Sequence, residues 1–230
     1  MNARRNIYAV VPIKNTSDAK RRLAGVLCGA RRQELALAMF EDVLATLACV
    51  RELAGILVVT VDPAAAASAT RHGARVLSDG ACEGHTGAVA AAARQLKREG
   101  MLTVPGDIPL VEPDDIRQLI DVHHNSAGRD PRTFAIVPAR DERGSNAIVC
   151  SPAGIVPLRF GVDSFVPHLA AAKRCGIEPV VVHLPRIALD VDTPDDMALF
   201  LDTPSHTRAR ALLEEWRVRL HDGVLRTATA

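Results

Sequence analysis

The first structural unit of the chain is encoded by residues 7–23, with the sequence IYAVVPIKNTSDAKRRL. Its apolar half, residues 7–13, predicts a strand, because a short apolar run bounded by polar residues is typical of a strand buried on both faces. After the polar half, residues 31–50 carry apolar side chains such as Leu35 and Met39 at the spacing of one helix face. The sequence therefore predicts a strand, a polar loop and a helix in succession.

The same alternation continues along the chain. Further strands are predicted at residues 55–61, 75–77, 101–104, 134–137, 147–150, 180–183 and 188–191. Further helices are predicted at residues 63–71, 87–99, 113–124 and 163–175, and from residue 194. Such alternation predicts an α/β fold, a single three-layer domain with a mostly parallel, Rossmann-like sheet and helices on both faces. The polar segment 139–146 between two of the strands favours a hairpin or lid inserted beside the sheet.

The domain organisation follows from the length of 230 residues, which fits one α/β domain. We assign residues 1–203 to that domain. We assign residues 204–230 to a C-terminal helical tail, with a charged amphipathic helix up to residue 220. The tail is interpreted as an arm for packing or oligomerisation, and a homodimer is left open.

Composition excludes several classes of function. Lys plus Arg number 28 and Asp plus Glu 27, and aromatic residues are only 3%, so neither a basic surface nor stacking platforms for nucleic acid are indicated. No apolar run approaches the roughly 20 residues of a membrane span. The five cysteines are scattered, and the first apolar run is too short for a signal peptide. These features predict a cytoplasmic protein that binds neither nucleic acid nor membrane.

In an open parallel sheet, ligands bind beyond the carboxyl ends of the strands, so the polar residues that follow predicted strands are the first candidates. After the first strand come the cations Lys14, Lys20, Arg21 and Arg22, at the start of a predicted helix. Cations and free backbone amides at such a place suit a polyphosphate. A solvated, basic helix start is the alternative interpretation.

Aspartates follow two other predicted strands. Asp107 lies between glycine and proline residues after the strand 101–104, where it could also cap a turn. Asp190 and Asp192 lie two residues apart at the end of the strand 188–191, and the period of a strand puts both carboxylates on one side. Neighbouring carboxylates favour a divalent cation such as Mg²⁺ that also contacts phosphate, although Asp192 or Thr193 could instead simply cap the next helix.

Protein-nucleophile chemistry is not indicated. The histidines show no metal-ligand spacing, and the sequence has no Gly-x-Ser-x-Gly nucleophile motif. Taken from the residues alone, the pattern is that of a nucleotide–metal site. Three hypotheses remain open: a nucleotidyltransferase, a metal-dependent nucleotide-sugar glycosyltransferase and a non-catalytic nucleotide-binding module.

The ordered motifs resemble those of the 2-phospho-L-lactate/phosphoenolpyruvate/3-phosphoglycerate guanylyltransferase family of coenzyme F-420 biosynthesis. The matching stretches are VPIK (11–14), AKRRL (19–23), VPGDIPL (104–110), RGSNA (143–147), FGVDSFVPHL (160–169) and LDVDTP (189–194). The resemblance runs from about residue 7 to residue 200. Residues 83–87, EGHTG, differ from the Gly-Leu-Asn that relatives often show. The family has a nucleotidyltransferase fold related to that of molybdenum-cofactor guanylyltransferases.

The resemblance implies transfer of GMP from GTP to a small phosphorylated acid with release of pyrophosphate. The acid would be phosphoenolpyruvate, 2-phospholactate or 3-phosphoglycerate, which the sequence does not distinguish. By motif, Lys14, Lys20 and Arg22 would hold the GTP phosphates, and Lys14, Lys20 and Asp107 would be the catalytic residues. Asp107, Asp190 and Asp192 would bind Mg²⁺. Ser145, Asn146, Gly161 and Ser164 would bind the acid, and Gly84 and Gly87 would contact the base.

Overall fold

A computed structural model describes residues 6–127, 130–221 and 224–227 of the chain. Its strands are β1 (Ile7–Pro12), β2 (Leu53–Val59), β3 (Arg75–Leu77), β4 (Gly100–Thr103), β5 (Thr133–Pro138), β6 (Ser145–Ser151), β7 (Val180–Val181), β8 (Val218–His221) and β9 (Val224–Thr227). Its helices are α1 (Gly29–Ala48), α2 (Pro63–Arg71), α3 (Gly84–Leu96), α4 (Pro113–Asn125), α5 (Phe165–Arg174), α6 (Pro185–Ala188), α7 (Pro194–Asp202) and α8 (Arg208–Glu215).

The central sheet has seven strands in the order β3-β2-β1-β4-β6-β5-β7. Strand β1 is parallel to β2 and β4, whereas β6 is antiparallel to both β4 and β5. The predicted α/β fold with a mostly parallel sheet is therefore confirmed. The predicted hairpin exists as β5–β6, but it lies within the sheet and not beside it. The reason is that β6 is apolar on both faces: Ala147, Ile148, Val149 and Cys150 are all buried.

Alternate residues of β1 face two separate helical layers. Ala9 and Val11 belong to a core cluster with α1, α2 and α4, whereas Val10 packs in a second cluster with α3 and α5. Since both faces of the sheet are covered, its strands are continuously apolar. In the described part of the chain, no helix combines the length and the apolar composition needed to cross a lipid bilayer.

One predicted strand, at residues 188–191, is wrong. Pro185 begins the short helix α6, in keeping with the preference of proline for the first helical position. The chain then runs extended from Leu189, and the Val191 amide donates to the Asp107 carbonyl at 2.9 Å. Leu189 and Val191 are buried in a third core cluster. The alternation of buried and polar residues is thus real, although the segment is not part of the sheet.

The C-terminal tail is only partly helical. The helix predicted up to residue 220 ends at Glu215, because Arg217 adopts a left-handed conformation with φ of 55°, and the strands β8 and β9 follow. Asp42 on α1 accepts hydrogen bonds from the first amides of α8, those of Arg208 and Ala209. The buried face of α8 joins the third core cluster. The boundary at residue 203 remains a prediction.

The packing of the tail can be tested at Leu213, which is fully buried in the third core cluster. We expect Leu213→Ala to lower the free energy of unfolding by about 2–5 kcal/mol, because it removes buried atoms and leaves a cavity. Urea denaturation would measure this. The exposed neighbour Glu215 provides the control, and Glu215→Ala should change the value by less than about 0.5 kcal/mol. Equal effects of the two substitutions would contradict this packing.

Candidate active site

Two cavities meet at Asp192 on one edge of the sheet. The β1-side cavity has a volume of about 460 Å³ and is lined by the loop after β1, by His85 and by Asp107. The β6-side cavity has a volume of about 620 Å³ and is lined by Asn146, Gly161 and Asp190, among others. Asp192 lines both. Lys14 and Lys20, two residues assigned to the nucleotide phosphates, line the β1-side cavity, whereas Arg22 lines the β6-side cavity together with Asn146 and Gly161, two residues assigned to the acid.

The sequence predicted that the loop after β1 forms the start of a helix, and this prediction is wrong. The loop forms two short 3₁₀ turns, Thr16–Asp18 and Arg21–Leu23. Its shape is fixed by buried Thr16, whose amide and hydroxyl donate to Asp62 Oδ2 at 2.7 and 2.6 Å. Asp62 also caps α2. The predicted phosphate loop is therefore anchored on α2, and its positive charge comes from side chains and not from a helix end.

Lys20 lies between two of the predicted metal ligands. Its Nζ atom is 2.5 Å from Asp107 Oδ2 and 2.6 Å from Asp192 Oδ1, and its side chain is only 7% exposed. Burial lowers the pKa of Lys20, but the charges of the two aspartates outweigh burial and raise it overall. Lys20 also has a left-handed backbone, with φ of 53°. The ammonium group is thus held in place by carboxylates that face the cavities.

Asp190 is the third member of this acidic group. Asn146 Nδ2 donates to Asp190 Oδ1 at 3.0 Å and to the carbonyls of Ile187 and Ala188. Burial raises the pKa of Asp190, and the charges of Asp107 and Asp192 raise it further. Asn146 therefore holds the loop that carries Asp190, while its predicted contact with the acid remains a prediction.

The structure offers one observation that favours a cation at this place. Asp107 Oδ1 is buried, and it has no hydrogen-bond partner among the residues that the structure describes. Within those residues, no three or more His, Cys, Asp and Glu side chains are already arranged so that they could hold a metal. Lys20 Nζ already donates to one oxygen of Asp107 and one oxygen of Asp192.

The residues predicted to bind the acid come together at the start of β6 and α5. Ser164 Oγ lies 3.5 Å from Ser145 Oγ. Ser164 occupies the N-cap of α5, but no hydrogen bond within the described residues shows its side chain capping the helix. Gly161 has φ of +148° and open space where a Cβ would lie. Arg143 pairs with Asp163 at 2.5 Å, and both residues line the β6-side cavity.

The two glycines predicted to contact the base differ in their surroundings. Gly84 begins α3 with φ of +74° and lines a small recess together with Lys14 and His85. A Cβ at Gly87 would lie 2.2 Å from the Cβ of Glu83, so this glycine permits tight packing in the first turn of α3. Helix α3 begins earlier than the predicted residue 87, which brings Gly84 into the helix.

Sequence analysis missed several polar residues of this region. Asp62 lies shortly after strand β2. Asp107 was selected because it is a polar residue that follows a strand, and the same criterion would have selected Asp62. His168 lies within the motif FGVDSFVPHL. It was not selected, because its spacing from the other histidines is not that of metal ligands. His85 lines the β1-side cavity and packs on Phe160, with 4.2 Å between ring centroids. Burial lowers the pKa of His85 to about 4, so its ring is neutral at pH 7.

Comparison with known proteins assigns the family. The family described as "Guanylyl transferase CofC like" matches residues 7–223. A phosphoenolpyruvate guanylyltransferase of Conexibacter woesei is 39% identical over 198 residues, 83% of this chain and 85% of that protein. A 3-phospho-D-glycerate guanylyltransferase of Colwellia psychrerythraea is 33% identical, over 84% of this chain and 89% of that protein.

The fold has its own match among solved structures. A structure from Desulfovibrio desulfuricans, named as a nucleotide-diphospho-sugar transferase, superposes with a TM-score of 0.69 at 18% identity. The superposition covers 93% of this chain and 95% of that one, and at this identity it bears on the fold alone. The family match and the two relatives carry the assignment further: the chain belongs to the CofC-like guanylyl transferases, a family of nucleotidyltransferase enzymes.

Proposed function

We propose that this enzyme transfers GMP from GTP to a small phosphorylated acid and releases pyrophosphate. The acid is phosphoenolpyruvate, 2-phospholactate or 3-phosphoglycerate, and the product serves coenzyme F-420 biosynthesis. Two relatives are named for phosphoenolpyruvate and 3-phosphoglycerate, which supports this class of acceptor. The family membership favours this function over a glycosyltransferase or a non-catalytic module. The cysteines in the described residues are all free thiols, in keeping with a cytoplasmic location.

The observation that carries the proposal is the meeting of the two cavities at Asp192. GTP would place its phosphates in the β1-side cavity, near Lys14 and Lys20. The acid would bind in the β6-side cavity, which Asn146 and Gly161 line, and would reach from there to Ser145 and Ser164. The reacting atoms would then meet where the cavities join, so that alignment of the two substrates supplies much of the catalysis.

The reaction needs no base from the protein. An oxygen of the acid's phosphate attacks the α-phosphorus of GTP, the bond between that phosphorus and the oxygen bridging the α- and β-phosphates breaks, and this oxygen leaves with pyrophosphate. A phosphate dianion carries no proton that must first be removed. Lys14, Lys20 and Arg22 would stabilise the negative charge that develops on the phosphates.

Asp107, Asp190 and Asp192 would hold Mg²⁺. Asp107 Oδ1 is buried without a hydrogen-bond partner among the described residues, and the pKa of Asp190 is raised first by burial and then by the charges of Asp107 and Asp192. A cation would stabilise a group of carboxylates in this state. When bound, Mg²⁺ would neutralise phosphate charge and orient the transferred group. Asn146 would keep Asp190 in position for this. Lys20 would keep Asp107 and Asp192 together.

We expect GTP to be the preferred donor. Gly84 brings backbone groups next to the recess beside Lys14, and a pocket built for guanine leaves polar groups unpaired with adenine at roughly 1–3 kcal/mol each. A pyrophosphate-release assay that crosses the four nucleoside triphosphates with the three acids should give kcat/KM at least about tenfold higher for GTP than for ATP. Equal values would leave a nucleotidyltransferase without guanine preference, and no release with any pair would refute the proposed function.

Asp192→Asn tests the metal site and the junction of the cavities together. We expect turnover to fall about 100-fold or more, because metal stabilisation of the transferred phosphate is worth several kcal/mol. The matched control is Asp202→Asn, an exposed carboxylate at the end of α7. Mg²⁺ should raise the Tm of the wild type and of this control more than that of Asp192→Asn. An equal rise in all three proteins would argue against Asp192 as a ligand.

Asp190→Asn should stabilise the metal-free protein at pH 7. Folding raises the pKa of Asp190, so its stabilising contribution is present below the unfolded pKa of about 3.9 and is lost as pH rises through the folded pKa. Asparagine removes the charge and keeps an oxygen for Asn146. In EDTA, the Tm difference in favour of the variant should shrink as pH falls from 7 to about 4. A lower Tm for the variant at pH 7 would show that the charge of Asp190 is not unfavourable.

A further inference from the structure

His168 is a buried side chain of α5 that the predicted chemistry does not use. It is 1% exposed and lies between the loop that carries Arg159 and the first residue of β6, Ser145. Each of its two ring nitrogens has one hydrogen-bond partner among the described residues. The Arg159 amide lies 3.0 Å from Nε2, and Ser145 Oγ lies 3.0 Å from Nδ1.

The first of these contacts determines the tautomer. A backbone N–H can only donate, so Nε2 must accept the hydrogen bond from Arg159 and carries no proton. Burial lowers the pKa of His168 to about 4, which makes the ring neutral at pH 7. A neutral imidazole has one N–H group, which is therefore at Nδ1. The histidine donates from this atom to Ser145 Oγ.

The direction of this bond decides what the Ser145 hydroxyl can do. A hydroxyl oxygen accepts two hydrogen bonds and donates one. His168 Nδ1 and the more distant Ser164 Oγ, at 3.5 Å, supply the two accepted bonds. The hydrogen of Ser145 is then left to donate to a third group. A phosphate or carboxylate oxygen, which only accepts, is the complementary partner.

We propose that His168 is a positioning residue that orients the Ser145 hydroxyl as a donor to an anionic group of the acid. The inference rests on the proposed function, since it takes the acid to lie at Ser145. His168 itself touches neither substrate. It acts through Ser145, and its effect concerns the acid and not GTP.

The same network connects the two cavities. The ring of Phe160 lies between His168 and His85, with centroid distances of 5.1 and 4.2 Å. The Phe160 amide donates to Thr86 Oγ1 at 3.0 Å, which ties the loop to the first turn of α3. Since His85 lines the β1-side cavity, the loop that fixes the His168 ring is held against the nucleotide side. The orientation of the Ser145 hydroxyl is thereby set relative to the cavity in which GTP, the nucleotide donor, would bind.

Two substitutions distinguish the roles of the two ring nitrogens of His168. The amide nitrogen of asparagine can replace Nδ1–H, whereas glutamine reaches the position of Nε2. With phosphoenolpyruvate and GTP, we expect His168→Gln to raise the KM for phosphoenolpyruvate about tenfold or more, the scale of a lost hydrogen bond to a charged group. The KM for GTP should be unchanged. His168→Asn should stay within about threefold of the wild type.

A double substitution tests whether His168 acts through Ser145. Adding His168→Gln to Ser145→Ala should produce no further rise in the KM for phosphoenolpyruvate, because the hydroxyl that His168 orients is already absent. A further tenfold rise, equal losses in the Asn and Gln variants, or a raised KM for GTP would each overturn the proposal. Thermal unfolding of each variant would show whether a loss merely reflects instability.

The tautomer can be measured without any substitution. Nitrogen-15 NMR of the wild-type imidazole at pH 7 should show the proton on Nδ1 of His168. A proton on Nε2 would overturn the proposal even if every variant failed to fold. If the wild type turns over none of the three acids with GTP, the proposed function fails, while the NMR result still decides whether Ser145 accepts from His168.

Discussion

The ion pairs of Lys20 with Asp107 and Asp192 join three parts of the chain that are far apart in sequence. Lys20 comes from the loop after β1, Asp107 from the loop after β4, and Asp192 from the extended segment before α7. A buried ammonium is costly without partners, and a group of carboxylates is costly without a cation. The ammonium group and the carboxylates thus stabilise each other. The charged residues where the two cavities meet depend on this balance of positive and negative charge.

The apolar residues beneath this charged group are as important as the charges. Leu189 and Val191 are buried in the third core cluster, which also contains Leu35 and Met39 of α1. The Val191 amide bonds to the Asp107 carbonyl, so the two acidic loops are connected through the backbone as well. The aspartates are consequently positioned by packing below and by hydrogen bonds beside them. Their repulsion is opposed by a rigid base.

The fold could be predicted from the sequence because its strands are short apolar runs that alternate with regular helices. A period of two predicted that Asp190 and Asp192 share one side. Leu189 and Val191 are buried and both aspartates line the β6-side cavity, although the segment is not a strand. The ion pairs of Lys20 with Asp107 and Asp192 could not be predicted, because they depend on where three loops meet. The role of His168 could not be predicted for a similar reason. Its hydrogen-bond partners are the Arg159 amide and Ser145, and neither hydrogen bond produces a recognisable residue spacing in the sequence.

The position of α8 has a consequence for synthesis of the protein on the ribosome. Ala209, Leu213 and Trp216 cover a surface formed by residues of α1, which are translated much earlier. Until α8 has left the exit tunnel, that apolar surface stays uncovered. A product terminated before α8 would keep it exposed, and such surfaces favour aggregation and recognition by chaperones. Translation of α8 is thus a condition for burying the cluster against which the acidic loops pack.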